Sequence, residues 1–258
     1  VGAEDVAFWV PMLTIGIGLG ALLAFAARQF VLQGRGEAFL DLRTFSKLPF
    51  TVAVIMMALA MMALFGTVIM LPLILQRAFG WEPVQVGLMM LPGGIAMGLL
   101  GPIIGRLYDR VGPRVLVVPA SFAVLAVFLF FSTISLAMPW WAIMLGHIAM
   151  SVSFACIFTP LFTLALGSLP RHLYSHGSAV IGAVQQVAGA AGTALFVTIF
   201  SMQTAEAGTT ASEAEAMLVG AHWAFLGAGA IWTAAVIAGF FLRKDDDADL
   251  DGEPLIGH

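Results

Sequence analysis

GRLYDRVGPR, residues 105–114, places four charged side chains within ten positions: Arg106, Asp109, Arg110 and Arg114. The rest of the chain is poor in charge, since 10% of its 258 residues are charged and 60% are hydrophobic. No residue from 83 to 105 or from 115 to 170 is charged. A charged motif between two such stretches is typical of a connection between membrane-spanning helices, each of which needs about 20 apolar residues.

The apolar content of the whole chain predicts the fold class. A typical soluble domain is about 25% charged, so this much apolar surface exceeds what one soluble core can bury. In lipid, every backbone polar group must be paired within the protein, and long apolar runs are therefore expected to be helical. The sequence predicts an all-α integral membrane protein with seven spans, at residues 6–27, 50–76, 84–105, 115–136, 140–166, 178–201 and 220–242.

Lys and Arg predict the orientation of these spans. Ten of the eleven lie in the segment 28–47, in the motif, after the fifth span and after the seventh, whereas Arg77 lies on the opposite side. The positive-inside rule places the first set in the cytoplasm. We therefore expect a multi-pass protein of the inner (plasma) membrane, with Val1 outside and the carboxy terminus cytoplasmic. The first span has no basic segment before it and no cleavage site, so it does not resemble a signal peptide. An outside amino terminus without such a signal suggests a piece of a longer chain.

The motif itself has two interpretations. Its arginines anchor helix ends among lipid headgroups, or they belong to a latch that includes Asp109. The aspartate adds nothing to the positive-inside signal and lies near the start of the fourth span, where a helix amino terminus favours an anion. Gly105 and Gly112 permit a tight turn that larger residues would strain. The motif is therefore predicted to be a tight cytoplasmic turn in which a carboxylate holds helix ends together.

The motif resembles the G-x-L-x-D-R-x-G-x-R loop motif of the major facilitator superfamily, which lies between the second and third helices of a six-helix half. Two further stretches are LPGGIAMGLLGPIIGRLYDR at residues 91–110 and SHGSAVIGAVQQVAGAAGTALFVTIF at residues 175–200. Both are similar to the carboxy-terminal half of fourteen-span drug/proton antiporters of the EmrB and QacA type. The resemblance implies a linker helix at 1–27, a cytoplasmic connection at 28–49, a six-helix half at 50–242 and an acidic cytoplasmic tail at 243–258.

The resemblance also implies roles for particular parts of the chain. In the family, the aspartate and arginines of the motif take part in a charge-and-dipole latch that stabilises one access state. Here the latch residues would be Gly105, Asp109, Arg110, Gly112 and Arg114. The glycine-rich third and sixth spans would face a missing amino-terminal half, which would be the main partner.

A substrate pocket is predicted from the same comparison. Ten of the fourteen methionines lie in the second, third and fifth spans, and methionine suits surfaces that bind many partners. In the superfamily, the first and fourth helices of a half line the cavity, and here these are the second and fifth spans. The alternative is ordinary core packing. The pocket candidates are Met57, Met61, Phe65, Met150, Phe154, Gln185 and Gln186.

The predicted function is proton-coupled multidrug efflux of lipophilic or cationic compounds by alternating access, with a role in antibiotic resistance. No span has Asp, Glu, Lys or Arg at its centre, so the resemblance places the coupling carboxylates in the missing half. A proton gradient rather than a cofactor would drive transport, and lipid but no nucleic acid is expected as a partner. His147 is interpreted as a satisfied interfacial residue, and His172 and His176 lack a third metal ligand.

Two alternatives remain beside drug efflux. One is another major facilitator transporter, for a nutrient or metabolite, and the other is a non-transporting scaffold subunit. An intramembrane enzyme is not expected, because no paired aspartates, no His-Glu-x-x-His metal helix and no serine–histidine pair lie at span depth.

Overall fold

The computed structural model describes residues 41–242 and, before them, residues 13, 16–18, 20–21, 23–25, 27–29 and 31–32. Residues 41–242 fold into six long helices and two short 3-10 helices, Leu42–Ser46 and Arg171–Leu173. The long helices are α1 (Leu48–Arg77), α2 (Pro83–Val111), α3 (Pro113–Ser132), α4 (Trp140–Gly167), α5 (Tyr174–Ala207) and α6 (Glu213–Gly239). Each is long and apolar enough to cross a membrane, which confirms the predicted all-α membrane fold for this part of the chain.

The predicted spans correspond to these helices, with differences at the ends. The third predicted span stops at residue 105, whereas α2 continues to Val111. The predicted sixth span, 178–201, lies inside the longer α5. The upstream positions that the structure describes, between residues 13 and 32, are helical, but most of the predicted linker span 6–27 lies outside the described residues. The acidic tail 243–258 lies wholly outside them.

Local sequence explains where the helices begin. Pro83 and Pro113 occupy the first turns of α2 and α3, where a proline needs no backbone N–H partner. Glu82 and Gln85 form a reciprocal capping box at the start of α2. Ser212 and Glu215 do the same at the start of α6, so two free backbone N–H groups are satisfied at each start.

Short connections force neighbouring helices to alternate in direction. Gly112 alone separates α2 from α3, and its φ of 77° lies in the left-handed region that favours glycine. The connections 78–82 and 208–212 are also too short to run from one end of a helix to the other, because extended chain spans at most about 3.6 Å per residue. All connections therefore lie at one of two ends of the bundle.

The two ends differ in charge. Six of the seven Lys and Arg residues of 41–242 lie at the end that contains residues 41–47, 105–114 and 168–173, which we call the basic end. The opposite end contains Arg77 together with Glu82, Glu206, Glu213 and Glu215, and we call it the acidic end. The predicted charge asymmetry is therefore preserved in the folded bundle.

The bundle packs around α1, which contacts α4, α5 and α6. Helix α3 packs on α4 and α6, and α6 also packs on α5. An aromatic cluster fills the centre, where Phe128 contacts Phe196, Phe225 and Trp232. The indole N–H of Trp232 donates a hydrogen bond of 2.8 Å to the Ser121 carbonyl oxygen, so the one polar atom of this large side chain is satisfied inside the core.

Helix α2 is the least buried of the six. It packs chiefly on α4, and 17% of its most apolar segment is buried, against 44–56% for α1, α3, α4 and α6. Helix α5 is intermediate at 33%. Both helices therefore carry large faces that nothing in residues 41–242 covers.

Candidate functional site

The charged motif lies mostly on a helix. Residues 105–111 form the last two turns of α2, and Gly112 alone makes the turn to α3. The prediction of a tight turn over the whole motif is therefore wrong. The helix continues because Tyr108, which is 6% exposed, packs into the bundle, and because no proline or glycine interrupts residues 106–111. The Gly112 N–H donates to the Tyr108 carbonyl oxygen at 2.8 Å and ends the helix.

Asp109 is exposed on the last turn of α2. Within residues 41–242 it forms no ion pair with Arg106, Arg110 or Arg114. Helix α3 has no side-chain cap and no acidic residue in its first turn. The predicted contacts of Asp109 with the motif arginines and with the start of α3 are therefore not formed in this conformation.

The arginines of the motif make other contacts. Arg106 donates from Nε to the Pro102 carbonyl oxygen of its own helix at 3.3 Å. The Arg114 guanidinium lies 5.7 Å from the centre of the Phe240 ring, a distance at which a cation is attracted to the ring face. The basic end thus presents Asp109 and Arg110 as exposed charges beside each other.

Three of the predicted pocket residues lie inside the bundle. Met57 and Met150 are 1% exposed and Phe154 is 0% exposed. Phe154 contacts the rings of Phe158 and Trp232. In this conformation these three side chains contact protein on all sides, as core residues do.

The other candidates lie at or near the contact between α1 and α5. Phe65 is 41% exposed, and a Cβ on Gly189 of α5 would lie 3.2 Å from its ring. Met61 and Gln185 are half-buried and Gln186 is exposed, all within about one helical turn of this contact. The structure therefore places Gln185 at the contact with α1, whereas Gln186 lies on the exposed side of α5.

One face of α2 is formed by glycine and has no neighbour among the described residues. A Cβ built at any of these positions meets no atom of the described residues within 4 Å: Gly87, Gly94, Gly98, Gly101 and Gly105. The spacing of seven, four, three and four residues keeps all five on one side of the helix. Small residues of this kind let membrane helices approach closely, so the face fits another helix.

The exposed side of α5 is also small and polar. It contains Ser178, Gly182, Gln186, Ala190 and Ala194, at helical spacing. Its opposite side packs tightly on α1, where a Cβ on Gly192 would clash with the backbone of Met62. Within residues 41–242, helix α5 is therefore packed on one side and has no neighbour on the other.

A cavity of about 490 Å³ lies at the acidic end between α2 and α4. Its lining is Trp81, Gln85, Leu88, Met89, Trp140 and Met144. The sequence did not predict this cavity, because Trp81 lies in the connection before α2 and Trp140 lies at the start of α4. Met89 and Met144 belong to the methionine-rich third and fifth spans, whose methionine content was one of the observations behind the predicted pocket.

Comparison with known proteins identifies the family. The model of the Major Facilitator Superfamily matches residues 5–193. The chain belongs to the major facilitator superfamily. The transporter YcnB of Bacillus subtilis, an uncharacterized member, is 35% identical over 237 residues, which are 90% of this chain and 48% of YcnB. The lincomycin resistance protein LmrB of Listeria monocytogenes is 33% identical over 242 residues, 91% of this chain and 50% of LmrB. The multidrug export protein EmrB of Escherichia coli is 31% identical over 163 residues, 62% of this chain and 32% of EmrB.

These matches confirm the predicted resemblance to major facilitator transporters of the EmrB type. Relatives in this superfamily are transporters rather than enzymes. The chain spans about half the length of YcnB and LmrB. The motif lies at the junction of α2 and α3, the second and third of the six long helices in residues 41–242.

Proposed function

We propose that this chain is the carboxy-terminal half of a proton-coupled multidrug efflux antiporter. The observation that carries the proposal is the match to LmrB, a resistance protein, along 91% of this chain but 50% of LmrB. LmrB is therefore about twice as long as the part of it that this chain matches.

The uncovered faces support a missing partner of helical form. The glycine face of α2 and the small, polar face of α5 are open in residues 41–242. A second six-helix unit packed on these faces would allow close and sliding contact, because small side chains present little steric obstruction. Asp109, which lacks a partner in residues 41–242, would contact a group of that unit in one access state.

The side chains around the α1–α5 contact support a lipophilic substrate. Met61 and Phe65 offer flexible and aromatic apolar surface, and Gln185 and Gln186 offer uncharged hydrogen-bonding groups. Ligand sites are mostly apolar with a few polar groups that fix orientation. A sugar or amino-acid site would need many more hydrogen-bonding groups than these helices provide.

The charge of the two ends supports the orientation. The basic end would face the cytoplasm and the acidic end the outside of the plasma membrane, because Lys and Arg are retained on the cytoplasmic side. The tryptophans Trp81, Trp140 and Trp141 lie at the acidic end, and tryptophan is enriched at membrane–water interfaces.

Resistance and transport measurements on the full-length protein test this proposal. Produced in a drug-hypersensitive bacterium, it should raise the inhibitory concentration of lincomycin and of several unrelated lipophilic cations, and a protonophore should abolish the effect. Proton-driven movement of a single nutrient, with no drug resistance, would favour the alternative transporter. Correct insertion with no transport of any kind would favour the scaffold.

A further inference from the structure

We propose that His147 is a proton-binding site that controls the contact between α2 and α4. The inference is that neutral His147 allows α2 to close against α4, and that a proton on the imidazole favours their separation. It rests on the proposed function for its role in transport, but the contact itself is a property of the structure.

The imidazole is buried and incompletely satisfied. His147 is 6% exposed, and its Nδ1 atom is fully buried without a hydrogen-bond partner. Among residues 41–242, Thr204 Oγ1 is the one other buried side-chain polar atom in this situation. The buried hydroxyls of Thr67, Ser121 and Ser151 each donate to a carbonyl oxygen of their own helix. Because buried polar groups are almost always paired, this exception calls for an explanation.

Helix α2 closes directly over the imidazole. A Cβ on Gly93 would lie 2.5 Å from Nδ1 and 2.7 Å from Cε1 of His147, so the ring packs against the backbone of α2. The nearby Ser151 hydroxyl is committed to the His147 carbonyl oxygen at 2.9 Å. Nδ1 therefore gains a hydrogen-bonding partner when α2 moves away and admits water.

A route for water lies one helical turn away. Met144 and Met89 line the 490 Å³ cavity at the acidic end. They precede His147 and Gly93 by one turn on α4 and α2 respectively. His147 is seven residues from the start of α4 at Trp140, which is about 10 Å of helix. A modest separation of the two helices would connect the cavity with the imidazole.

No charge of the described helices offsets a proton at this depth. On the helices that pack against α4, Arg77 of α1 lies at the acidic end, and Arg106, Asp109, Arg110 and Arg114 of α2 and α3 lie at the basic end. The remaining titratable groups of α2 and α4 are Tyr108 at the basic end of α2 and Cys156, which follows His147 by nine residues on α4. On α5, which also contacts α4, Tyr174 and His176 lie at the basic end and Glu206 lies at the acidic end. Glu82 stands exposed at the start of α2.

Protonation and closure are therefore opposed. A proton taken from water onto the free ring nitrogen gives an imidazolium with two N–H donors and a positive charge. Burying an unpaired charge costs far more than burying the neutral ring. Because the proton binds in just one of the two conformations, protonation shifts the equilibrium toward that conformation.

Thiol labelling of the full-length transporter tests this inference. A cysteine in place of Met89, in a Cys156→Ser background, would be reacted with a membrane-impermeant alkylating reagent between pH 5 and 8, with rates corrected for thiolate content. The corrected rate should rise as the pH falls, by up to tenfold per pH unit, because one proton is bound. His147→Gln should give a low rate at every pH, and His147→Arg, which keeps a charge, a high rate at every pH.

His222→Gln is the matched control. Nδ1 of His222 lies 2.9 Å from the Ser132 carbonyl oxygen, so this histidine is partnered and its loss should leave the pH dependence intact. A rate that does not change with pH in the parent protein, or that keeps its pH dependence in both His147 variants, overturns the inference. Labelling needs no drug transport, so a failed function proposal gives a different result from a failed inference.

Discussion

The side-chain amide of Gln185 donates to the sulfur of Met57 across 3.8 Å and joins α5 to α1. Met57 makes this contact, and it differs in burial from Met61, the methionine four residues further along α1. Met57 is held inside the bundle at 1% exposure, whereas Met61 is half-buried one turn further along α1. The two are therefore expected to differ in function.

Phe65→Ala and Met61→Lys should impair export of several chemically unrelated drugs at once, with normal amounts of protein. Met57→Ala should instead lower the stability of the bundle by about 2–5 kcal/mol, the usual cost of truncating a buried side chain. Inhibitory concentrations for four or more compounds, set beside immunoblots of membrane fractions, distinguish these effects. Loss of a single substrate in the Phe65 and Met61 variants would indicate a specific site, and unchanged resistance would indicate that both residues face lipid.

Gly98→Leu should block transport by preventing close approach of the other half. A Cβ at this position meets no described atom, so the six-helix unit itself should still fold. Gly98→Ala is the control, and it should retain most activity because alanine is also a small interface residue. If leucine is tolerated as well as alanine, the glycine face contacts lipid rather than helix.

Asp109→Asn should leave the amount of membrane-inserted protein unchanged and lower turnover sharply. An exposed ion pair contributes about 0–1 kcal/mol and a helix-terminus contact about 0.3–1 kcal/mol. Together these shift a two-state equilibrium by roughly tenfold, since about 1.4 kcal/mol is a factor of ten. Accessibility of the cytoplasmic cavity to thiol reagents should rise in the variant, and Asp109→Glu should retain most of the activity. Disappearance of the variant from the membrane would make Asp109 a folding residue, whereas normal turnover and accessibility would support simple anchoring.

Thr210→Cys should react with an impermeant thiol reagent in intact cells, and His172→Cys should not. The first position is exposed at the acidic end and the second is exposed at the basic end. The result follows from the positive-inside rule. Labelling of both variants in permeabilised cells is the control that both cysteines are reactive. Labelling of His172→Cys but not of Thr210→Cys in intact cells would mean that the orientation is the reverse of the one proposed.

Much of this fold follows from the sequence because span length and charge asymmetry are strong signals in a membrane chain. The distinction between Met57 and Met61 does not follow from it. In a membrane helix, both the lipid face and the core face are apolar, so hydrophobicity alone does not tell which side is inside. The rotation of α1 about its axis is set by contacts such as Gln185 with Met57, which join residues 128 positions apart.

Two other features also depended on tertiary structure. Charge and glycine predicted a loop over residues 105–114, but burial of Tyr108 extends α2 to Val111. His147 was interpreted as satisfied, whereas its Nδ1 has no hydrogen-bond partner in the part of the chain that the structure describes. That result depends on Gly93 of another helix, and local sequence holds no information about this contact.

Drug movement in proteoliposomes is the most direct test of the claim that this chain is half of a proton-coupled drug exporter. The full-length transporter and the chain 1–258 alone would be reconstituted separately, and ethidium transport would be followed under an imposed pH gradient. We predict gradient-driven ethidium transport by the full-length protein, abolished by a protonophore, and none by the isolated chain. Gradient-driven transport by the isolated chain, or none by the full-length protein, would contradict the account.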